Sequence, residues 1–201
     1  MRVALVDYGA GNLQSVRNAL KAAGAENIVV TADPDAVRAA DRIVLPGVGA
    51  FAHCMGALSG IDGMVEALNE ATGQRAVPFL GICVGMQLMA EAGEEHGTHA
   101  GLGWVKGRVR MMEAADAHIK IPHMGWNDVV PTKAHPLIEA GEAYFLHSFA
   151  YAGNDVIATT EHGGPVVAAI GRDNRIGVQF HPEKSQSYGL QFLARFLEWR
   201  P

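Results

Sequence analysis

At 201 residues the chain has the length of one ordinary domain, and 49% hydrophobic content is enough for a large continuous core. Charged residues make up 18% with a formal net charge of -5, and Lys and Arg are scattered, which argues against a nucleic-acid partner. Only Cys54 and Cys83 are present, with no Cys-x-x-Cys pair, so a disulfide framework and a redox or zinc motif are excluded and a reducing, cytoplasmic setting fits.

Met1 to Asp7 turns acidic after a few apolar residues and lacks the features of a secretory signal. No apolar run approaches the ~18 residues of a membrane helix, so no membrane association is expected. Val3 to Val6 reads as a strand, followed by a helix with Asn12 as N-cap and Leu13, Val16, Leu20 and Ala23 on one face. Ile28 to Val30 predicts a second strand. Asp33-Pro34 and Ala36 to Ala40 predict a capped helix with proline in its first turn, and Arg42 to Leu45 a third strand. A helix is expected over Ala57 to Thr72, interrupted by Gly60 and Gly63. Such strand-helix alternation implies a parallel sheet.

Val77 to Leu80 is a further apolar run leading into a helix that should continue to about Ala92, with Gly93 to Gly103 a polar loop or lid. Beyond it, Gly103 to Met112, Ile119 to Ile121, Asp128 to Val130, Ala143 to Leu146, Val156 to Thr160, Val166 to Ile170 and Arg175 to Phe180 are strand-like with little helix between them. They predict antiparallel strands at one edge of a mixed sheet. Leu190, Leu193, Ala194 and Leu197, enlarged by Phe192, Phe196 and Trp199, form the apolar side of a closing helix. No repeat, linker or second domain is indicated.

Cys83 stands in Gly81-Ile82-Cys83-Val84-Gly85-Met86-Gln87, directly behind the apolar run. Gly81 and Gly85 have the spacing of a nucleophile elbow, in which a sharp strand-to-helix turn leaves no room for neighbouring side chains. A helix N-terminus and a nearby imidazolium would favour the thiolate. Far downstream, His181-Pro182-Glu183 follows another strand, and residues two apart in an extended segment face the same way, so Glu183 can orient the ring of His181. Thiol, imidazole and carboxylate are the minimum for acyl transfer through a thioester. Pro46-Gly47-Val48-Gly49, after the third strand, can present backbone N–H groups as an oxyanion hole, with the N–H of Val84 as a second donor.

Plainer readings stand beside these. Cys83 could be a small buried hydrophobe, although its flanking glycines argue otherwise, and Cys54 is read as packing only. His181 and Glu183 could form a surface pair or a metal site, but a zinc deaminase needs a following Pro-Cys-x-x-Cys that is missing. His96, His99, His118, His123, His135, His147 and His162 have no supporting cysteine or acidic cluster, so no metal ligand is assigned. Gly9-Ala10-Gly11 fails as a dinucleotide fingerprint because its third glycine position is Gln14.

The elbow and the late His-Pro-Glu resemble the class I glutamine amidotransferases. Within that family, Asp7 to Leu13, Pro46 to Gly49, Pro122 to Asn127 and His181 to Gln186 are similar to the glutaminase subunits of imidazole glycerol phosphate synthases, enzymes of histidine biosynthesis. The resemblance spans nearly the whole chain and is thinnest from Gly93 to Ala117. It implies an α/β fold with a mixed, mainly parallel, flavodoxin-like sheet flanked by helices and an antiparallel extension, as a single glutaminase domain over 1–201. It also implies hydrolysis of glutamine to glutamate and ammonia, with Cys83 attacking the side-chain amide, His181 protonating the departing ammonia and Glu183 orienting His181.

By family position Gly47, Val48, Gly49 and Val84 belong to the oxyanion region. Gly49 and Gln87 touch glutamine, His147 and Ser148 grip its amino-acid end, and Phe149 stands where several relatives have tyrosine. No cofactor is implied. The chain holds no domain to consume ammonia, and the resemblance supplies one: a separate (β/α)8 cyclase subunit that receives ammonia through its barrel and forms imidazole glycerol phosphate and aminoimidazole carboxamide ribotide. Trp126, Tyr144 and Lys184 match positions at that interface. Rival functions are another glutaminase subunit of the same fold, a cysteine peptidase or related hydrolase, and a catalytically dead scaffold.

Overall fold

A computed structural model describes residues 1–113 and 118–201. The last four residues of the weakly matching stretch, 114–117, lie outside the described residues. Strands buried on both faces take the centre of the main sheet: β1 (Arg2–Val6), β3 (Arg42–Gly47), β4 (Phe79–Cys83) and β13 (Arg175–Val178) are almost continuously buried, the pattern of a parallel sheet covered by helices. With β2 (Asn27–Thr31) they run parallel in the order β2-β1-β3-β4-β13. The sheet continues antiparallel through β12 (Pro165–Arg172), β11 (Val156–Glu161), β8 (His123–Pro131) and β9 (Gly141–His147). The expected mixed, mainly parallel sheet with an antiparallel extension is therefore observed.

A second, four-stranded sheet was not anticipated. It is ordered β10-β7-β5-β6 and uses β5 (Ala90–Glu94), β6 (Thr98–Ala100), β7 (Val105–Met111) and β10 (Phe149–Gly153). Two expectations are corrected by it. The helix after Cys83 is a single turn, α5 (Val84–Gln87), rather than one reaching Ala92, and the expected loop over Gly93 to Gly103 is largely a β5-β6 hairpin. Pairing of β5 with both β6 and β7 outweighs the weak strand preference of Ala90-Glu91-Ala92-Gly93-Glu94. Ile119 to Ile121, expected as a strand, is irregular; β8 begins at His123.

The helices follow their caps. Asn12 Oδ1 accepts from the Ser15 N–H at 3.3 Å at the start of α1 (Leu13–Ala22), and Asp33 accepts from the Asp35 N–H at 2.9 Å at the start of α2 (Pro34–Arg38). The helix expected over Ala57 to Thr72 is broken where its glycines stand: α3 (Phe51–Ser59) ends at Gly60, and α4 (Met64–Asn69) starts after Gly63, whose φ of +77° suits only glycine well. A short π-helical segment, Glu70–Gln74, follows α4. In α6 (Gln186–Glu198) the buried face centres on Phe192, Leu193, Phe196 and Leu197, with Leu190 and Ala194 at its margin. The Arg42 guanidinium on β3 donates to the carbonyls of Phe196, Leu197 and Trp199, satisfying acceptors that the end of α6 leaves open.

Candidate active site

The site lies beyond the carboxyl ends of β3 and β4, as expected for an open α/β sheet. Cys83 ends β4 with φ +54°, a conformation an L-residue adopts only under strain, and α5 begins at the next residue. The flanking glycines are sterically required. A Cβ at Gly81 would stand 2.6 Å from the Gly85 carbonyl oxygen, and one at Gly85 would stand 1.9 Å from the Leu45 carbonyl oxygen. Because backbone cannot yield as a flexible side chain can, Gly85→Ala is expected to destabilise the fold by about 1–3 kcal/mol or more. A urea titration checks this through a lowered midpoint; an unchanged midpoint rejects the steric account.

His181 follows β13 and is only 4% exposed. Its Nδ1 bonds to Glu183 Oε1 at 2.8 Å, and the ring lines the same cleft as Cys83, near enough for the sulfur to act on its protonation. The backbone around the ring is clamped. The His181 N–H donates to the Tyr144 carbonyl at 2.8 Å, while the buried Ser185 hydroxyl donates to the His181 carbonyl at 2.6 Å and accepts from the Tyr144 N–H at 2.9 Å. Burial is the largest single influence on the ring and favours its neutral form. The hydrogen bonds and charges of Cys83 and Glu183 together outweigh burial and lift the imidazolium to about 10. The pair is thus arranged to carry a protonated ring beside the sulfur at neutral pH.

The cleft around Cys83 is lined by Val48, Gly49, Val84, Gln87, Leu146, His147, Ser148, Phe149, His181 and Lys184, with Glu95 at its rim. Of the residues singled out in the sequence for catalysis or glutamine binding, Glu183 and Gly47 do not line it: Glu183 joins the site through its bond to His181, and Gly47 is buried below the cleft, where its absent Cβ leaves room for the Tyr8 hydroxyl and the Val84 side chain. Gln87 donates to the Phe149 carbonyl and to Gln179 Oε1, both at 3.0 Å, so its own carbonyl oxygen is the group left to face a ligand.

His147 is held in one tautomer. The Phe149 carbonyl can only accept, so the proton is on Nδ1 of His147, and its Nε2 then accepts from Nδ1 of His123 at 3.1 Å. Nε2 of His123 accepts in turn from Asn127 at 3.1 Å. Burial first, and neighbouring histidines after it, push both rings down to about 4, so both are neutral at physiological pH. With both ring nitrogens of His147 engaged, any polar contact from this residue to a ligand falls to its backbone.

Three contributors were not found by sequence reasoning. Gln179, fully buried, donates to Cys83 Sγ at 3.6 Å; its position two before His181 on an extended segment was the available signal. Ser185, adjoining the His-Pro-Glu segment, was not assigned its clamping role. Glu95 accepts from the Phe51 N–H at 2.8 Å, capping α3 from the unanticipated hairpin.

On the outer side of the same edge, Trp126 and Tyr144 pair across β8 and β9 with ring centroids 6.2 Å apart, and Lys184 Nζ lies 5.7 Å from the Tyr144 ring. Met124 and Leu146, 65% and 36% exposed, pair beside them and extend an apolar patch to the mouth of the cleft. Trp126, Tyr144 and Lys184 are therefore neighbours in space, as well as being grouped by the resemblance.

The family model "Glutamine amidotransferase class-I" matches residues 4–199. The chain belongs to the class-I glutamine amidotransferases. Among curated relatives of this family member, one from Zymomonas mobilis is 63% identical over 99% of this chain and 96% of the relative. One from Rhodospirillum rubrum is 54% identical over the full length of both. Both carry the description imidazole glycerol phosphate synthase subunit HisH. Solved structures show the same fold at low identity. A glutamine amidotransferase superposes with a TM-score of 0.74 at 16% identity over 97% of each chain, and the structure of PurLQS from Thermotoga maritima with 0.69 at 20% identity, over 98% of this chain and 95% of that one. Among the described residues, no helix is long and apolar enough to cross a membrane.

Proposed function

We propose that this class-I amidotransferase is the glutaminase subunit of an imidazole glycerol phosphate synthase of the cytoplasm, acting as one glutaminase domain over 1–201. The observation that carries the chemistry is the strained Cys83 lining the same cleft as His181, whose ring is bonded to Glu183 at 2.8 Å. The choice of pathway is supported by the full-length similarity to the HisH relatives.

In this mechanism, Cys83 Sγ attacks the side-chain amide carbon of glutamine, and the carbonyl electrons move onto oxygen. Backbone N–H groups of the Val48–Gly49 loop and of Val84 receive the oxyanion. Collapse of the tetrahedral intermediate breaks the C–N bond as the His181 imidazolium gives its proton to the departing nitrogen, releasing ammonia and leaving a Cys83 thioester. His181, now neutral, takes a proton from water; the resulting hydroxide displaces Cys83 and releases glutamate. Glu183 keeps His181 Nδ1 protonated and the ring aimed throughout.

A cleft of about 180 Å³ suits a free amino acid better than a peptide, being smaller than the ~300–1,000 Å³ of drug-sized sites. That disfavours the peptidase reading. Ammonia released there emerges beside the Trp126–Tyr144 patch, which we assign to the (β/α)8 cyclase subunit, with Lys184 at the border of patch and cleft. Glutamine hydrolysis by the chain alone is expected to be slow and to rise strongly when the cyclase is added with its ligand, as binding shifts the site toward its competent population. Steady-state glutaminase assays under the two conditions check this. Equal rates reject the gating, and absence of glutamine turnover in both rejects the assigned reaction.

A further inference from the structure

Two buried groups beneath the Pro46–Gly49 loop have no part in the chemistry above. Tyr8, in the turn after β1, is 5% exposed and donates its hydroxyl to the Pro46 carbonyl at 2.6 Å. Cys54, fully buried on α3, donates its thiol to the Val48 carbonyl at 3.3 Å. The two side chains also lie near enough to influence each other's protonation. Packing here is close: a Cβ on Gly47 would stand 2.8 Å from the Tyr8 hydroxyl and 2.9 Å from Val84 Cβ. Burial pushes both groups up, so each remains a protonated donor at neutral pH.

The peptide plane is rigid, and its C=O and N–H point in opposite directions. A Val48 carbonyl held toward buried Cys54 therefore turns the Gly49 N–H to the other side of the loop, where Val48 and Gly49 line the cleft. The Pro46 carbonyl held by Tyr8 anchors the peptide that enters the loop at buried Gly47, and so fixes where the loop leaves β3. We propose that Tyr8 and Cys54 are positioning residues for glutamine hydrolysis, gripping the carbonyls of Pro46 and Val48 from below so that the loop offers its amide donors to the developing oxyanion. This rests on the reading of the cleft as a glutaminase site.

The test uses the full chain mixed with its cyclase, comparing Tyr8→Phe, Cys54→Ala, the double variant and Cys83→Ala in glutamine hydrolysis, with alkylation of Cys83 by iodoacetamide as a second readout. Alkylation displaces iodide at carbon and develops no oxyanion. Each single positioning variant is expected to lose about 10- to 100-fold in kcat, the size of effect that a displaced oxyanion donor produces. KM and the alkylation rate should stay within about twofold, because ground-state binding and the sulfur itself are untouched. Unchanged kcat in both variants and their double overturns the proposal, as does a parallel fall in kcat and alkylation, which marks collapse of the site. If Cys83→Ala still hydrolyses glutamine, the reading of the cleft fails instead; if it is inactive while Tyr8→Phe and Cys54→Ala are normal, only the positioning role fails.

Discussion

Replacing Cys83 by alanine should abolish product formation from glutamine in the complex with the cyclase, by about 10⁴-fold or more, while leaving formation from added ammonium salts near its normal rate. The size follows from covalent catalysis: without the sulfur no thioester can form, and the remaining amide donors can stabilise only the far slower direct attack of water. The selectivity follows from the geometry. Cys83 Sγ shares its cleft with the His181 ring and is approached by Gln179 Nε2 at 3.6 Å and, more distantly, by the Leu146 carbonyl at 3.9 Å, weak partners for a small side chain. Alanine removes the sulfur from that pocket and leaves the Trp126–Tyr144 patch on the outer face in place. Ammonia supplied from solution bypasses the missing step. Product formation is measured with glutamine and then with ammonium chloride as nitrogen donor; loss of both would mean that the thiol is a structural element and that the assigned chemistry is wrong.

The site was more legible than the sheet that carries it. Local stereochemistry makes an elbow readable: Gly81 and Gly85 are needed because their Cβ atoms would strike backbone, and that requirement is written directly into the sequence around Cys83. The Glu183 contact with His181 was readable because it joins residues only two apart, although the expected extended segment is instead a 3₁₀ turn over Pro182–Lys184 that brings the carboxylate back to the ring. The small sheet was hidden because Ala90 to Glu94 has no strand signature of its own. It becomes β5 only through pairing with β7 and β6, which are distant in sequence or follow a turn. Gln179, Tyr8 and Cys54 were overlooked for the same physical reason. Each is an ordinary polar or small residue until the fold puts it within reach of Cys83 or of the Pro46–Gly49 loop, at sequence separations of 96, 38 and 6 residues. The antiparallel extension was visible because its strand-like runs follow one another with turns and little helix between them, and β8 and β9 alternate more and less exposed positions, whereas β3 and β4, the parallel centre, are continuously buried.

Glu183→Gln should lower kcat by about 10²- to 10⁴-fold while KM changes little, because the carboxylate acts on the ring rather than on the substrate. The Glu183 side chain is 2% exposed, and its Oε1 holds His181 Nδ1–H while its Oε2 has no hydrogen-bond partner among the described residues, so its charge is balanced chiefly by the imidazolium. His181 stands at about 10 against its ordinary 6.5 despite a burial effect that works the other way. Removing the negative charge strips away part of what opposes burial, so the His181 midpoint must fall, and glutamine's amide can also satisfy the ring in the wrong tautomer.

The consequence for stability has a definite sign. A folded value above the unfolded one contributes stability fully below pH 6.5, and that contribution disappears as pH rises through about 10. The stability difference between wild type and Glu183→Gln should accordingly be widest in acid-to-neutral solution and narrow toward pH 10. An NMR titration of His181 in both proteins, with urea unfolding at several pH values, reads the two effects separately. A His181 midpoint unmoved by the substitution would mean that Glu183 only packs against the ring, and its place in the catalytic line would then have to be given up even if kcat had fallen.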